Sequence, residues 1–232
     1  ISVGNFNDGV EDRLVSNGRN IKISIDSQLQ LYVEKLLKGK VGSVVALEPS
    51  SGEILAIASS PSYNPNLLSG RNFSKNFLSL QKDTLKPIYN RALMATYPPG
   101  SMFKLIQSLI GLEENLVSYD EQVYVRNNRI GDLAPEGVYD LSKAIIKSSN
   151  NYFYNLFRSI INQNKNSNTF VDSRIGLDKW SNYVKMFGLG SNLNFNISAT
   201  NSGFVPSSNY YNTYYGVNRW KFSNIYSLSI GQ

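Results

Sequence analysis

Apolar side chains alternate with polar ones near the start of the chain, which is the spacing of β-strands. The stretch IKISID, residues 21–26, places isoleucine at every second position and predicts a short strand. Asp26 then precedes SQLQLYVEKLLKGK, and an aspartate in that place caps the N-terminus of a helix. Two β-rich runs, residues 41–47 and 53–59, are joined by the turn-forming stretch EPSSG, so we expect a β-hairpin.

The spacing becomes helical in the middle of the chain. Residues 101–115 carry apolar side chains on both faces, so we expect a helix that is buried nearly all round. The stretch VYDLSKAIIKSSNNYFYNLFRSI predicts two helices with a break around residues 148–151. Residues 176–188 predict an amphipathic helix that ends at Gly188. Loops are predicted for residues 61–73 and 118–137, and turn signals continue through the Asn- and Tyr-rich remainder.

The composition of the chain excludes several kinds of catalytic and metal site, and it says less about the fold. The 232 residues are 41% apolar, which is enough for one large domain or for one domain with an appendage. The chain contains neither histidine nor cysteine. A histidine base, a cysteine nucleophile and a thiolate metal site are therefore excluded within it.

The charge of the chain does not select a partner. A net charge of +6 comes from 23 basic and 17 acidic residues that are scattered along the sequence. A solvated basic surface is the ordinary interpretation, and nucleic acid, an anionic membrane surface and an acidic polymer are the alternatives. No window approaches the roughly 20 apolar residues of a membrane span, and ISVGNFNDGVEDR is not a signal peptide. We expect a soluble protein or one whose targeting segment is absent from these residues.

The strongest candidate for chemistry is the stretch PPGSMFK, where a helix begins. Ser101 follows Pro-Pro-Gly, so its hydroxyl lies among unpaired N–H groups at the positive end of the helix dipole. Lys104 lies three residues later on the same face and is predicted to be buried, which requires a partner for its ammonium group. With a pKa lowered by apolar surroundings, Lys104 would serve as the general base for a Ser101 nucleophile.

An ordinary structural interpretation of this pair also exists. Ser101 is equally typical of an N-cap, and Lys104 is equally typical of a lysine that extends its stem to reach solvent. The spacing Ser-x-x-Lys recurs from Ser79 to Lys82, where no helix start is indicated. The spacing alone is therefore a weak signal, and the position behind Pro-Pro-Gly is what favours the catalytic interpretation.

A second candidate is the stretch KSSNNYFY, at the predicted break between two helices. Ser148 and Asn150 are two residues apart and could direct a hydroxyl and an amide into one cleft. The hydroxyl would relay a proton, and the amide would hold a substrate carbonyl or the lysine. Taken alone, the pattern is more typical of a helix cap or an Asx turn.

Five stretches taken in order resemble the transpeptidase domain of class B penicillin-binding proteins, most closely the elongation-type penicillin-binding protein 2 group. They are ISIDSQLQ, VVALEPSSGEILAIASSPSYNPN, NRALMATYPPGSMFK, KSSNNYFY and LSIGQ. The motif set of this class is Ser-x-x-Lys, a Ser-x-Asn type element and Lys-Thr-Gly. The resemblance implies a β-lactamase/transpeptidase-like α+β fold, an antiparallel sheet flanked by helices.

The resemblance also implies roles for the candidate residues. Ser101 resembles the acylated nucleophile, its backbone N–H resembles one oxyanion-hole donor, and Lys104 resembles the proton acceptor. Ser148 resembles the serine that passes a proton to the leaving amine, and Asn150 resembles the asparagine that aligns the substrate. The implied reaction is D,D-transpeptidation of peptidoglycan stem peptides ending in D-Ala-D-Ala, with β-lactams acylating the same serine. The family further implies a membrane glycosyltransferase partner of the elongation machinery and the periplasmic face of the inner membrane, without cofactor or nucleic acid.

The sequence departs from the family pattern in several places. Met102 stands where the family usually has threonine, and no Lys-Thr-Gly or Lys-Ser-Gly occurs in the 232 residues. We therefore expect residues 21–232 to be the N-terminal portion of the transpeptidase domain, with residues 1–20 as a linker or the end of a pedestal domain. In the family the hairpin pairs with C-terminal strands, so we expect the isolated chain to expose a sheet edge and to fold poorly. Some relatives hold a metal through histidine and cysteine, and we expect none here.

Three alternatives to the transpeptidase follow from the same sequence. A serine β-lactamase or β-lactam sensor shares the fold and differs in how fast the acyl-enzyme is hydrolysed. A non-catalytic cell-wall assembly module would keep the fold without turnover, and the missing third motif leaves that possibility open. Nucleic-acid binding by the basic stretch SSNYYNTYYGVNRW is the weakest of the three, because its aromatic residues are equally explained as core and surface strand positions.

Overall fold

The computed structural model describes residues 17–193 and 199–232, and this described part divides into two compact units between residues 92 and 93. Most of the predicted linker, residues 1–20, lies outside the described residues, and the division at residue 20 stays a prediction. In the described chain the strands are β1 (Gly42–Leu47), β2 (Ile54–Ser60), β3 (Val123–Val125) and β4 (Gly137–Tyr139). The helices there are α1 (Ser27–Leu37), α2 (Phe73–Lys82), α3 (Arg91–Met94), α4 (Lys104–Glu113), α5 (Leu141–Ile146), α6 (Asn150–Ile161), α7 (Thr169–Met186), α8 (Ser208–Tyr215) and α9 (Phe222–Ile225).

The first unit is built on α1 and the predicted hairpin, and both are confirmed. Strands β1 and β2 pair antiparallel, with Val45 opposite Ile57. The carboxylate of Asp26 accepts hydrogen bonds from the free N–H groups of Gln28 and Leu29 in the first turn of α1. The Gln30 side chain then exchanges two 2.9 Å hydrogen bonds with the backbone of Ile57. A small core seals the contact between α1 and β2, formed by Val33, Leu37, Ala56 and Ala58.

The strand predicted for residues 21–26 is wrong. The backbone there is irregular, and Ile21 and Ile23 are 85% and 67% exposed. This stretch reaches β2 through the Asp26 N–H, which donates to Leu55 O, and through the Ser24 hydroxyl. Alternating isoleucines form a strand only where one face is buried against a core. Here that face lies in solvent.

The loop predicted for residues 61–73 is wrong in part. Two short 3-10 turns, Pro65–Leu68 and Gly70–Asn72, lead into α2, which occupies a stretch too mixed in sequence to be assigned. The first turn begins where the Asn64 side chain accepts a hydrogen bond from the Asn66 N–H. The turn is therefore stabilised by a local side-chain cap and does not depend on a regular hydrophobic repeat.

The second unit packs α4, α6 and α7 around a large aromatic and aliphatic core. Phe157 lies between two aromatic neighbours, with its ring centroid 5.5 Å from that of Trp180 and 5.8 Å from that of Phe222. The helix predicted for residues 101–115 is α4, and the prediction that it is buried nearly all round is wrong, because Leu105 and Leu109 are 49% and 51% exposed. One face of α4 therefore points into the core and the other points to solvent.

Several predicted boundaries in this unit also change. The helix predicted for residues 176–188 begins seven residues earlier, because the Asn168 side chain caps α7 by accepting from the Phe170 N–H. The predicted loop 118–137 contains β3, which pairs antiparallel with β4. The Tyr-rich stretch forms helix α8 rather than strands. The break between α5 and α6 is confirmed.

Candidate active site

Ser101 lies where the sequence places it, in the turn that opens α4. A 3-10 turn, Gly100–Phe103, runs directly into the helix, and Gly100 has a positive φ of 57°. The Gly100 N–H donates to Gly231 O at 3.1 Å, so this turn is tied to the LSIGQ segment. Ser101 is exposed and makes no cap hydrogen bond to the helix. Its hydroxyl is therefore free to face a substrate at the positive end of α4.

Lys104 does not reach solvent. It is 2% exposed, and its Nζ donates to the Ser148 carbonyl oxygen at 2.6 Å, to Ser148 Oγ at 3.0 Å and to Asn150 Oδ1 at 2.6 Å. The ring of Phe153 lies 5.6 Å from Nζ on a further side. Burial lowers the pKa of Lys104 from its ordinary value, and the negative charge of Asp132 offsets part of that lowering.

Ser148 connects the two predicted motifs. Its hydroxyl donates to Ser101 Oγ at 3.0 Å and accepts from Lys104 Nζ at the same distance. The sequence predicted Ser101 as the direct partner of the lysine. The structure instead places the Ser148 hydroxyl between them, because the lysine side chain is drawn to the three acceptors of the 148–150 turn.

Asn150 faces the lysine from the first position of α6. Its Oδ1 accepts from Lys104, and its Nδ2 donates to Gly131 O at 2.7 Å. The cap that the sequence also allowed is supplied by the neighbouring Ser149, whose hydroxyl accepts from the Tyr152 N–H. The two roles are thus divided between adjacent serines, and Ser148 is left to face Ser101. All four candidates, Ser101, Lys104, Ser148 and Asn150, lie in one hydrogen-bonded cluster.

Sequence reasoning missed two residues that surround this cluster. Asp132 and Asn151 lie behind the 148–150 turn, where the Asn151 backbone N–H donates to the Asp132 carboxylate at 2.8 Å. A weak signal was present in the sequence. Asp132 forms an Asx turn with the Ala134 N–H, and Ser149-x-Asn151 repeats the Ser-x-Asn spacing one residue along.

A cavity of about 680 Å³ opens beside the residues that precede Ser101. Its walls include the aromatic residues Tyr97, Trp180 and Tyr211. Ser101, Lys104, Ser148 and Asn150 are absent from its lining. The hydrogen-bonded cluster therefore lies outside this cavity.

Residues 17–193 and 199–232 contain neither a cluster of metal-ligating side chains nor a membrane-spanning helix. No group of three or more acidic, histidine or cysteine side chains lies close enough together there to hold a metal ion. Within the same residues, no helix has both the length and the apolar character needed to cross a membrane.

Known proteins match most of this chain. The family model of the penicillin-binding protein transpeptidase domain matches residues 42–231. The peptidoglycan D,D-transpeptidase MrdA of Haemophilus influenzae is 31% identical over 225 residues, which cover 93% of this chain and 32% of the relative. The chain therefore belongs to the penicillin-binding protein transpeptidase domain family, and it spans about a third of the length of such curated relatives.

Solved structures agree with that assignment. Penicillin-binding protein 2 of Pseudomonas aeruginosa is 30% identical with a TM-score of 0.74, over 90% of this chain and 46% of that one. Penicillin-binding protein 2 of Helicobacter pylori, solved in complex with MreC, is 26% identical with a TM-score of 0.74, over 90% of this chain and 38% of that one. The predicted β-lactamase/transpeptidase-like fold is confirmed by these neighbours.

Proposed function

We propose that this chain carries the acylating residues of a peptidoglycan D,D-transpeptidase of the elongation type. The observation that carries the proposal is the hydrogen-bonded series from Lys104 through Ser148 to Ser101. A chain without histidine needs another base for a serine nucleophile, and a buried lysine with a lowered pKa supplies one. Family membership and the D,D-transpeptidase relatives support the same reaction.

The first step activates the nucleophile. In the reactive arrangement both hydrogen bonds of this series run in the opposite direction, so that Ser101 Oγ donates to Ser148 and Ser148 donates to the neutral Lys104 amine. The amine takes the proton of the Ser148 hydroxyl while Ser148 takes the proton of Ser101 Oγ. Both transfers run along the two 3.0 Å contacts. Ser101 Oγ then attacks the carbonyl carbon between the two terminal D-alanines of a stem peptide. The Ser101 backbone N–H, at the positive end of α4, stabilises the oxyanion that forms.

The second step releases the leaving group and closes the cycle. The tetrahedral intermediate collapses, the C–N bond breaks, and the departing D-Ala amine receives a proton returned from Lys104 through Ser148. The product is an ester between Ser101 and the stem peptide. An amine of a neighbouring stem then attacks this ester, loses a proton to the same lysine, and returns Ser101 to its hydroxyl form. Asn150, fixed between Lys104 and Gly131, is placed to align the substrate amide.

The ligands and partners follow from this reaction. Stem peptides ending in D-Ala-D-Ala are the substrate, and β-lactams are acylating inhibitors of Ser101. A Helicobacter pylori relative has been solved with MreC, and another similar structure comes from a peptidoglycan synthase complex. We accordingly propose elongation-machinery partners for this protein, including a membrane glycosyltransferase. The proposed location is the cell envelope, at the periplasmic face of the inner membrane.

The proposal is tested by supplying the full-length protein with a peptide ending in D-Ala-D-Ala and an amine acceptor, while measuring free D-alanine and the cross-linked product. We expect both products from the unmodified protein and neither from Ser101→Ala. Ser79→Ala is the matched control, because Ser79 has the same Ser-x-x-Lys spacing on the exposed surface of α2. Folded protein that releases no D-alanine would instead support the non-catalytic assembly module.

A further inference from the structure

The segment of residues 127–134 wraps around the turn that carries Ser148 and Asn150. Its central residue is Asp132, which is half-buried. One carboxylate oxygen, Oδ2, accepts from the Ser149 hydroxyl at 3.0 Å, from the Asn151 N–H at 2.8 Å and from Asn151 Nδ2 at 3.3 Å. The other oxygen accepts from the Ala134 N–H at 3.0 Å. Both residues that alternate with the candidate catalytic pair are therefore bound to one carboxylate.

The same segment holds the turn at further points. The Asn151 amide oxygen accepts from the Arg129 and Ile130 N–H groups at 3.0 Å and 3.3 Å. Gly131 O accepts from Asn150 Nδ2 at 2.7 Å. Ser149 and Asn151 are both fully buried at 0% exposure. Buried polar groups that are satisfied in this way specify a single arrangement, since breaking one bond leaves its partner unpaired.

The turn needs such support because its backbone is strained. Ser148 has a φ of 51°, in the left-handed region that is unfavourable for a residue with a Cβ atom. A residue stays in that region only where the surrounding structure determines it. The strained conformation directs both the Ser148 hydroxyl and the Ser148 carbonyl oxygen to Lys104 Nζ. Loss of the strain would move both acceptors away from the lysine.

We propose that Asp132 is a positioning residue for the acylation of Ser101, because its carboxylate clamps Ser149 and Asn151 and so fixes Ser148 and Asn150 against Lys104. The inference rests on the proposed function and adds a role that lies outside the three family motifs. Asp132 does not touch the reacting atoms. It acts through the 148–151 turn and through its charge.

The charge gives the proposal a second, independent signature. Asp132 faces Lys104 from the 127–134 segment, and it also faces Tyr139 of β4, whose pKa is raised by burial and by this charge. Around Lys104 the other contacts are neutral: Ser148, Asn150 and the ring of Phe153. Neutralising Asp132 removes the negative charge that raises the pKa of Lys104, so the pKa of the lysine falls further. The pH midpoint of acylation then moves to lower pH.

The test measures the rate of Ser101 acylation by a fluorescent penicillin against pH, in the full-length protein. Three variants are compared with the unmodified protein, and folding is checked by thermal melting. Asp132→Asn removes the charge and part of the clamp. Ser149→Ala removes one donor to the carboxylate together with the cap of α6, and keeps the charge. Glu136→Gln is the matched control, because Glu136 is an exposed carboxylate in the same region that also accepts a backbone N–H, that of Asn127.

We expect the plateau rate to fall roughly tenfold or more in Asp132→Asn and Ser149→Ala, since small displacements of catalytic groups carry large kinetic costs. The midpoint should move to lower pH only in Asp132→Asn, and Glu136→Gln should match the unmodified protein. If Asp132→Asn does not fold, the plateau rate of Ser149→Ala tests the positioning role. Plateau rates unchanged in folded Asp132→Asn and Ser149→Ala would overturn the positioning role alone. Absence of Ser101 labelling in the unmodified protein would overturn the proposed function with it.

Discussion

The two sides of the candidate site are held in place by different physics. On one side, Ser101 and Lys104 are placed by a helix whose inner face packs into an apolar core, with Phe103 and Ile110 buried. On the other side, Ser148 and Asn150 are placed by a turn with little apolar content, bound by backbone and side-chain hydrogen bonds. The first side follows from hydrophobic burial and the second from polar satisfaction.

This difference teaches where each side is vulnerable. A packed helix tolerates the loss of a surface group but responds strongly to a change of volume. A turn held by buried hydrogen bonds tolerates little change in any of its donors and acceptors, since each lost partner leaves a buried group unpaired. Lys104 links the two sides, because it lies on the packed helix and its amine donates hydrogen bonds to the 148–150 turn.

The largest effect on the rate of acylation is expected from removing the amine of Lys104, which links the two sides. In Lys104→Met most of the length of the side chain is kept while the amine is lost, so acylation by penicillin should slow by roughly 10²–10⁴-fold, the usual contribution of a general base. The rate of adduct formation measures it. Lys82→Met is the matched control, because Lys82 ends the other Ser-x-x-Lys sequence on an exposed surface. Equal rates in both variants would contradict the role of Lys104.

The pH dependence of acylation sharpens the same point. In the proposed mechanism the active form of Lys104 is the neutral amine, so the rate should rise with pH, by about tenfold per pH unit below the pKa of Lys104. Burial lowers that pKa from the ordinary 10.5, so the plateau should begin below that pH. Stopped-flow fluorescence with a labelled penicillin measures the profile. A rate still climbing beyond pH 10.5 would show that burial does not lower the pKa.

A change of volume should break the packed side. A Cβ at Gly231 would lie 2.5 Å from Gly100 O and 2.9 Å from Phe103 Cβ, at a φ of 73°. Gly231→Ala should therefore displace the opening turn of α4 and cost about 3 kcal/mol of folding free energy, from strain and overpacking together. Gly203→Ala is matched in φ, at 78°, but meets no atom within 4 Å. Urea unfolding should show only about 1 kcal/mol for this control.

A smaller effect is expected at the polar contact buried within the packed side. Gln107 is fully buried, accepts from Trp180 Nε1 at 2.9 Å and donates to Leu228 O at 3.2 Å. Gln107→Leu keeps most of the volume but leaves both partners unpaired, which should cost about 2 kcal/mol. Thermal or urea unfolding measures it, with Gln122→Leu at an exposed site as the control. Matching stabilities would mean that the Gln107 contacts contribute nothing net.

The contrast between the packed helix and the hydrogen-bonded turn also explains which features could be predicted from the sequence. The opening of α4 at Ser101 and the break before Asn150 were predicted because hydrophobic spacing and capping residues act over a few positions. The boundary of α7 was missed because the Asn168 cap outweighs the polar start of that helix. The strand at residues 21–26 was wrongly predicted because its pattern has no buried face to match.

The hydrogen bonds between Asp132 and the 148–151 turn could not be predicted from the sequence, for a related reason. Asp132 and Asn151 are 19 positions apart, and their contact is a hydrogen bond that no periodicity encodes. The positive φ of Ser148 is likewise a property of the surroundings, since serine itself disfavours it. The pattern KSSNNYFY made Ser148 and Asn150 candidates, and the resemblance to class B penicillin-binding proteins favoured their catalytic interpretation over a helix cap or an Asx turn. The structure supplied the reason that they face Lys104.

The most direct test of the central claim is the intact mass of the full-length protein after incubation with a penicillin. We predict a mass increase of one penicillin, mapped to the peptide containing Ser101, and no increase in Ser101→Ala. Folded protein that gains no mass, or an adduct that persists in Ser101→Ala, would contradict the assignment of Ser101 as the nucleophile.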